Sequence, residues 1–166
     1  VNPLVYFIEH VIQAINYIRA VYPTFPIYMT GISGGGLITE FSAALDKRIL
    51  ASYPVFSSVP FNLRPPGDFG DWEQLQARSY WTLLDREEYL YALGARDVGR
   101  RVKKVVGTQD DVFPISTIRD EVRNFERAVQ AYTPPNQYSL ITDTTSAGHF
   151  YSAATVAAIL ADIASA

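Results

Sequence analysis

Three residues of this chain could together perform nucleophilic chemistry: Ser33, Asp110 and His149. Ser33 lies in Gly31-Ile32-Ser33-Gly34-Gly35, a G-x-S-x-G pattern between the apolar run Ile27-Tyr28-Met29 and the segment Leu37-Ile38-Thr39-Glu40-Phe41. A strand, a very tight turn with serine at its tip, and a helix form the setting in which this pattern exposes a nucleophile. Such a turn strains the serine backbone, so side chains at Gly31 and Gly35 are expected to collide with the strand or the helix. The N–H of Gly34, at the helix N-terminus, would be free to stabilise a developing oxyanion. A simple glycine turn or a phosphate cradle competes poorly. A P-loop needs Gly-Lys-Ser/Thr at its end, and a dinucleotide fingerprint needs glycine where Ser33 stands.

A serine hydroxyl is a weak nucleophile at neutral pH. It needs an adjacent base, and the base needs an acid to orient it. The chain contains only two histidines, His10 and His149. His10 falls at the edge of an amphipathic helix, where a structural or surface role is expected. His149 lies in Thr145-Ser146-Ala147-Gly148-His149, a loop after a predicted strand. Asp110 and Asp111 lie in Gly107-Thr108-Gln109-Asp110-Asp111-Val112-Phe113-Pro114, after another predicted strand. Turn-forming aspartates would also fit there. Asp143 is a more distant alternative acid.

The elements that must position these groups follow from the periodicities. From Pro3 to Ala20, apolar residues at Leu4, Phe7, Ile8, Val11, Ile12, Ile15 and Ile18 describe one buried helical face. Strands are predicted at Ile27–Met29, Ile49–Phe56, Val102–Val106 and Tyr138–Thr142. Helices are predicted after the elbow, over Asp85–Ala95 and Ile115–Ala131, and over Tyr151–Ala166, the last with Val156, Ile159, Leu160 and Ile163 as its buried stripe. Strands alternating with helices predict an α/β fold: a mainly parallel sheet with helices on both faces. In such sheets reactive groups gather at the carboxyl ends of the strands, and Ser33, Asp110 and His149 all follow predicted strands. Ser57–Trp81 is a Pro- and Gly-containing insert rich in aromatics. It reads either as a pocket wall or lid, with Trp72 and Trp81 as candidate substrate-binding residues, or as a loop whose aromatics plug the core.

Composition narrows the classes. At 166 residues the chain reads as a single domain over residues 1–166, large enough for a real core. A net charge of −3 with no basic run argues against nucleic acid as a partner. No apolar run reaches membrane-spanning length. The lack of cysteine excludes disulfides, thiolate metal sites and a cysteine nucleophile. No metal and no organic cofactor is implied.

The order Ser33, Asp110, His149, with the three sequences around these residues, resembles the α/β-hydrolase superfamily over essentially the whole chain. The resemblance implies Ser33 as nucleophile and His149 as general base and then acid. Gly-x-x-Asp ahead of Val-x-Pro favours Asp110 over Asp111 as the orienting acid. The implied activity is esterase-type cleavage of a small-molecule ester or related acyl bond through an acyl-enzyme. An acyltransferase using the same triad, or a non-catalytic binding or assembly domain, are the alternatives. One departure stands out. In the family several strands and a His-Gly-Gly type loop, which gives a second oxyanion donor, precede the elbow; here only 26 residues precede Ile27. The chain is therefore expected to be the C-terminal part of a longer protein, or to pair with a second chain that completes the sheet.

Overall fold

The computed structural model describes residues 4–57, 60, 63, 87–113 and 115–165. Trp72 and Trp81, and with them most of the insert read over Ser57–Trp81, lie outside the described residues. Among the described residues four strands form one sheet: β1 (Ile27–Ile32), β2 (Ile49–Val55), β3 (Arg101–Gly107) and β4 (Tyr138–Asp143). Each pairs in parallel with the next, in the order β1-β2-β3-β4. The helices are α1 (Leu4–Val21), α2 (Gly34–Leu45), α3 (Glu87–Leu93), α4 (Arg119–Gln130) and α5 (Ala153–Ala164).

Strand alternation divides the core between the two faces. On one face, Ile8 of α1, Leu37 and Phe41 of α2, Leu90 of α3 and Val129 of α4 pack with Val102 and Tyr138. Beside them Ile15, Ile27, Ala43 and Ile49 form a second cluster. On the other face, Ala51, Tyr53, Val55 and Val105 meet Ile159 of α5. Among the described residues helices thus cover both faces, four on one and one on the other, as the alternation of elements predicts.

Some expectations are corrected. In α5, Ile159 is buried, whereas Val156 and Leu160 are exposed, at 42% and 59%. The contact line runs through Thr155, Ile159 and Ile163, a four-residue spacing, and a residue one position further on is turned well away from the sheet. In α1 the stripe is narrower than its apolar spacing implies, since Phe7 faces solvent while Ile8 and Ile15 are buried. The segment from Ile115 becomes helical only at Arg119; Ile115 instead packs with Val106, Phe113 and Val122 under the Asp110 loop.

One buried polar cluster crosses the packed face. Lys104 Nζ of β3 donates to Glu40 Oε1 of α2 at 2.6 Å and to the Ser57 hydroxyl at 3.0 Å. Ser57 also donates to Glu40 Oε1, at 2.6 Å. Ser57 is not placed to act as a nucleophile. It is fully buried, and the neighbouring amine is ion-paired to a carboxylate rather than free to accept a proton.

Candidate active site

β1 delivers Ser33 to the carboxyl edge of the sheet. Ser33 has φ 57° and ψ −127°, the strained left-handed-side geometry expected of a serine at the tip of an elbow. The strain is held from both sides: Ser33 N donates to Val55 O of β2 at 3.0 Å, and Ser33 O accepts from Leu37 N of α2 at 3.0 Å. That second bond opens the helical ladder, so the N–H groups of Gly34, Gly35 and Gly36 lie outside it.

The glycine requirement is only partly as expected. A Cβ on Gly31 would lie 2.2 Å from Gly35 O, so Gly31 is obligatory. A Cβ on Gly35 would meet nothing within 4 Å. The collision anticipated there falls one residue later, where a Cβ on Gly36 would come 2.6 Å from Ser57 Cβ. The pattern around the serine is tight because strand β1 and the loop after β2 converge on the first turn of α2.

Asp110 and His149 are brought together by the loops after β3 and β4. His149 Nδ1 and Asp110 Oδ1 are 2.8 Å apart, with the Asp110 side chain fully buried and that of His149 18% exposed. Donation to a carboxylate puts the proton on Nδ1. Asp110 Oδ1 also accepts from Val112 N at 2.9 Å, which fixes the carboxylate in its turn. Gly107 makes room for this: a Cβ there would stand 2.9 Å from Asp110 Cβ and 3.0 Å from the Phe56 ring. Phe56 and Phe113 flank the imidazole at ring separations of 6.0 and 5.9 Å. His149 Nε2 is buried and has no hydrogen-bond partner, and Asp110 Oδ2 is likewise unpartnered. Ser33 Oγ therefore makes no bond to His149 in this structure, an arrangement common before substrate binds.

The other candidates separate cleanly. Asp111 is exposed, and His149 bonds Asp110 instead. His10 is exposed on α1, its Nδ1 3.3 Å from Tyr6 O. Asp143 does not face His149. It is buried, and its carboxylate accepts from Thr145 N (2.7 Å), Thr145 Oγ1 (2.8 Å), Ser146 N (3.0 Å), Ser152 Oγ (2.5 Å) and Thr155 Oγ1 (2.7 Å). Burial alone would raise this carboxyl, but the hydrogen bonds from Ser152, Thr155 and Thr145 outweigh it and hold Asp143 well below the usual carboxylate range.

Sequence reasoning missed this hydroxyl frame. The available signal was the run Asp143-Thr144-Thr145-Ser146, side chains that bond neighbouring backbone in turns. It also missed a tie between elbow and histidine: Tyr151, two residues past His149, bonds Thr30 Oγ1 of β1 at 2.9 Å. Among the described residues no group of His, Asp or Glu is arranged to hold a metal ion. No described helix is long and apolar enough to cross a membrane.

No family model matches the chain, and no curated protein does. Solved structures do. An esterase from an Arctic intertidal metagenomic library aligns with a TM-score of 0.57 at 15% identity, over 91% of this chain and 52% of that one. An esterase of Pyrococcus furiosus aligns at 0.55 and 14%, over 95% and 58%. Est1E of Butyrivibrio proteoclasticus, solved with ferulic acid, aligns at 0.59 and 19%, over 97% and 69%. The chain thus spans about half the length of the Arctic esterase. Four parallel strands, helices on both faces and this likeness over nearly the whole chain mean that the protein has the α/β-hydrolase fold.

Proposed function

We propose that the chain carries the catalytic machinery of an esterase-type serine hydrolase. The observation that carries the reading is the His149–Asp110 pair at 2.8 Å, with His149 Nε2 buried and unpartnered, in a fold whose elbow presents Ser33. Asp110 holds the proton on Nδ1 and leaves Nε2 as the acceptor. As Ser33 Oγ attacks the ester carbonyl, its proton passes to Nε2, and the resulting imidazolium is stabilised by the Asp110 carboxylate. The N–H of Gly34 supports the oxyanion at the dipolar start of α2. The tetrahedral intermediate collapses, the alkoxide leaves with the Nε2 proton, and Ser33 is acylated. Water, deprotonated by Nε2, then releases the carboxylic acid and regenerates the serine. An acyltransferase would differ only in the nucleophile of that last step. Trp72 and Trp81 remain candidates for substrate contact.

The second oxyanion donor and the strands that would carry it are expected beyond β1, an edge of the sheet among the described residues. Strands adding there, from the same polypeptide or a second chain, would complete the site. Losing one such donor costs on the order of 10²–10³ in rate. A non-catalytic binding domain is the second reading, favoured by the half-length match.

Fluorophosphonate labelling read by intact mass separates the two. One adduct that vanishes in both Ser33→Ala and His149→Ala is expected for the enzyme. A folded chain that takes no adduct, alone or within a longer polypeptide that includes the preceding strands, would establish the binding domain.

A further inference from the structure

The loop between β4 and α5 carries His149, and five hydrogen bonds from the loop and the start of α5 end on the Asp143 carboxylate. We propose that Asp143, acting through Ser146, is the positioning residue that holds His149 against Asp110. The inference rests on the reading of His149 as the base, and extends it to residues outside the triad.

Three sets of contacts carry the argument. The Asp143 carboxylate clamps the loop at both ends: Oδ1 takes Thr145 N, Thr145 Oγ1 and Ser146 N at its start, and Oδ2 takes Ser152 Oγ and Thr155 Oγ1 at its finish. Ser152 in turn caps α5 by accepting from Thr155 N at 3.0 Å, so the carboxylate also fixes where that helix starts. Next, Ser146 passes the constraint inward. It is fully buried, and its hydroxyl is 2.8 Å from Gly148 O and 3.3 Å from Phe150 O, the carbonyls on either side of His149. Finally, the Asp143 backbone reaches the acid loop, since its carbonyl accepts from Thr108 N at 3.0 Å, two residues before Asp110. One residue therefore sets the loop of the base and touches the loop of the acid. Its carboxyl is held well below the usual carboxylate range by these same hydrogen bonds, so at neutral pH both oxygens are acceptors.

The hydrogen bonds also say how substitutions should rank. Asparagine at 143 can still accept from Thr145 N and Ser146 N through its one oxygen, but its amide cannot accept from Ser152 and Thr155. Alanine accepts from none. Ser146→Ala keeps the clamp and removes only the grip on the carbonyls beside His149.

The test reads the His149 Nδ1–H proton by NMR, a low-field signal visible only while the bond to Asp110 protects it from exchange; Asp110→Asn and His149→Ala assign it. Asp162→Asn is the control, because it weakens the anchoring of α5 without touching the loop. The expected result is loss of the signal in Asp143→Ala and Ser146→Ala, an intermediate signal in Asp143→Asn, and retention in Asp162→Asn even where its Tm falls as far. Fluorophosphonate labelling should slow in the same order, by on the order of 10²-fold for Asp143→Ala, the size of effect that a misplacement of about 1 Å produces. An unchanged signal in Asp143→Ala and Ser146→Ala, with only Tm lowered, overturns the inference. If Asp143→Ala does not fold, Ser146→Ala decides alone. A wild-type protein that shows the signal but takes no label, either as this chain or within a longer polypeptide, refutes the esterase reading, while the positioning inference is still decided by the signal.

Discussion

At the scale of single residues, steric and hydrogen-bond geometry make opposite predictions for neighbours that look equivalent in sequence. Gly31→Ala places a methyl 2.2 Å from a backbone oxygen that cannot move without deforming the elbow. It should cost about 1–3 kcal/mol or more, as overpacking does. Gly35→Ala adds a methyl in open space within a helix, where alanine is favoured over glycine by up to about 1 kcal/mol. Urea melts of the two variants should therefore move in opposite directions, and a Gly35→Ala as damaging as Gly31→Ala would contradict the elbow geometry. The two aspartates separate in the same way. Asp110→Asn removes the carboxylate that His149 Nδ1 bonds and should slow labelling by on the order of 10⁴, while Asp111→Asn, exposed and off the imidazole, should leave it within about twofold. The preference for Asp110 over Asp111 was legible in part from spacing. The contact with His149 goes to the side chain that turns inward under Gly107, a matter of one backbone step that spacing does not encode.

Between elements, the buried Glu40–Lys104 pair joins α2, the helix that starts just after Ser33, to the inner strand β3. Both side chains are almost wholly buried, and Glu40 Oε2 has no partner. Removing one member strands a charge in the interior, so Lys104→Met should cost about 3–5 kcal/mol. Replacing both, as Glu40→Leu with Lys104→Met, should cost much less than the sum of the single changes. A denaturant double-mutant cycle measures this directly, and additive losses would mean that the pair does not interact. Neither residue was marked by the sequence. Glu40 looks like one acid on an amphipathic helix and Lys104 like half of a charged pair on a short strand. Only the packing of α2 across β3 shows that the two face each other.

For the molecule as a whole, acid stability reports on the opposite face of the sheet. Asp162 of α5 accepts from Tyr53 Oη at 2.7 Å and Arg101 Nε at 2.6 Å, and pairs with Lys103 Nζ at 2.5 Å, tying the last helix to β2 and β3. Burial would raise its carboxyl, but the hydrogen bonds from Lys103, Tyr53 and Arg101 dominate and lower it to about 2. A carboxyl depressed in the folded state stabilises the fold above its unfolded value, near 4, and that stability is lost as the pH falls toward about 2. The contribution is on the order of 2 kcal/mol. Asp162→Asn should lower stability at neutral pH and flatten the fall between about pH 4 and pH 2, measured by urea midpoints across that range. An unchanged slope would mean that other carboxylates carry the acid limb.

The sequence by itself determined the alternation of strands and helices, the parallel sheet, the tight turn at Ser33 and the two loops that carry Asp110 and His149. These are local matters: periodicity, glycine placement and chain order fix them wherever the segments pack. The tertiary structure decided the rest. It turned Asp110 rather than Asp111 toward His149 and moved the second tight glycine from position 35 to 36. It left Val156 and Leu160 outside the core, and it made Asp143 a frame for the histidine loop rather than a rival acid. Each of these depends on the angle at which distant segments meet. A side chain one position along a helix or turn points elsewhere, and what it meets there is supplied by residues far away in the chain.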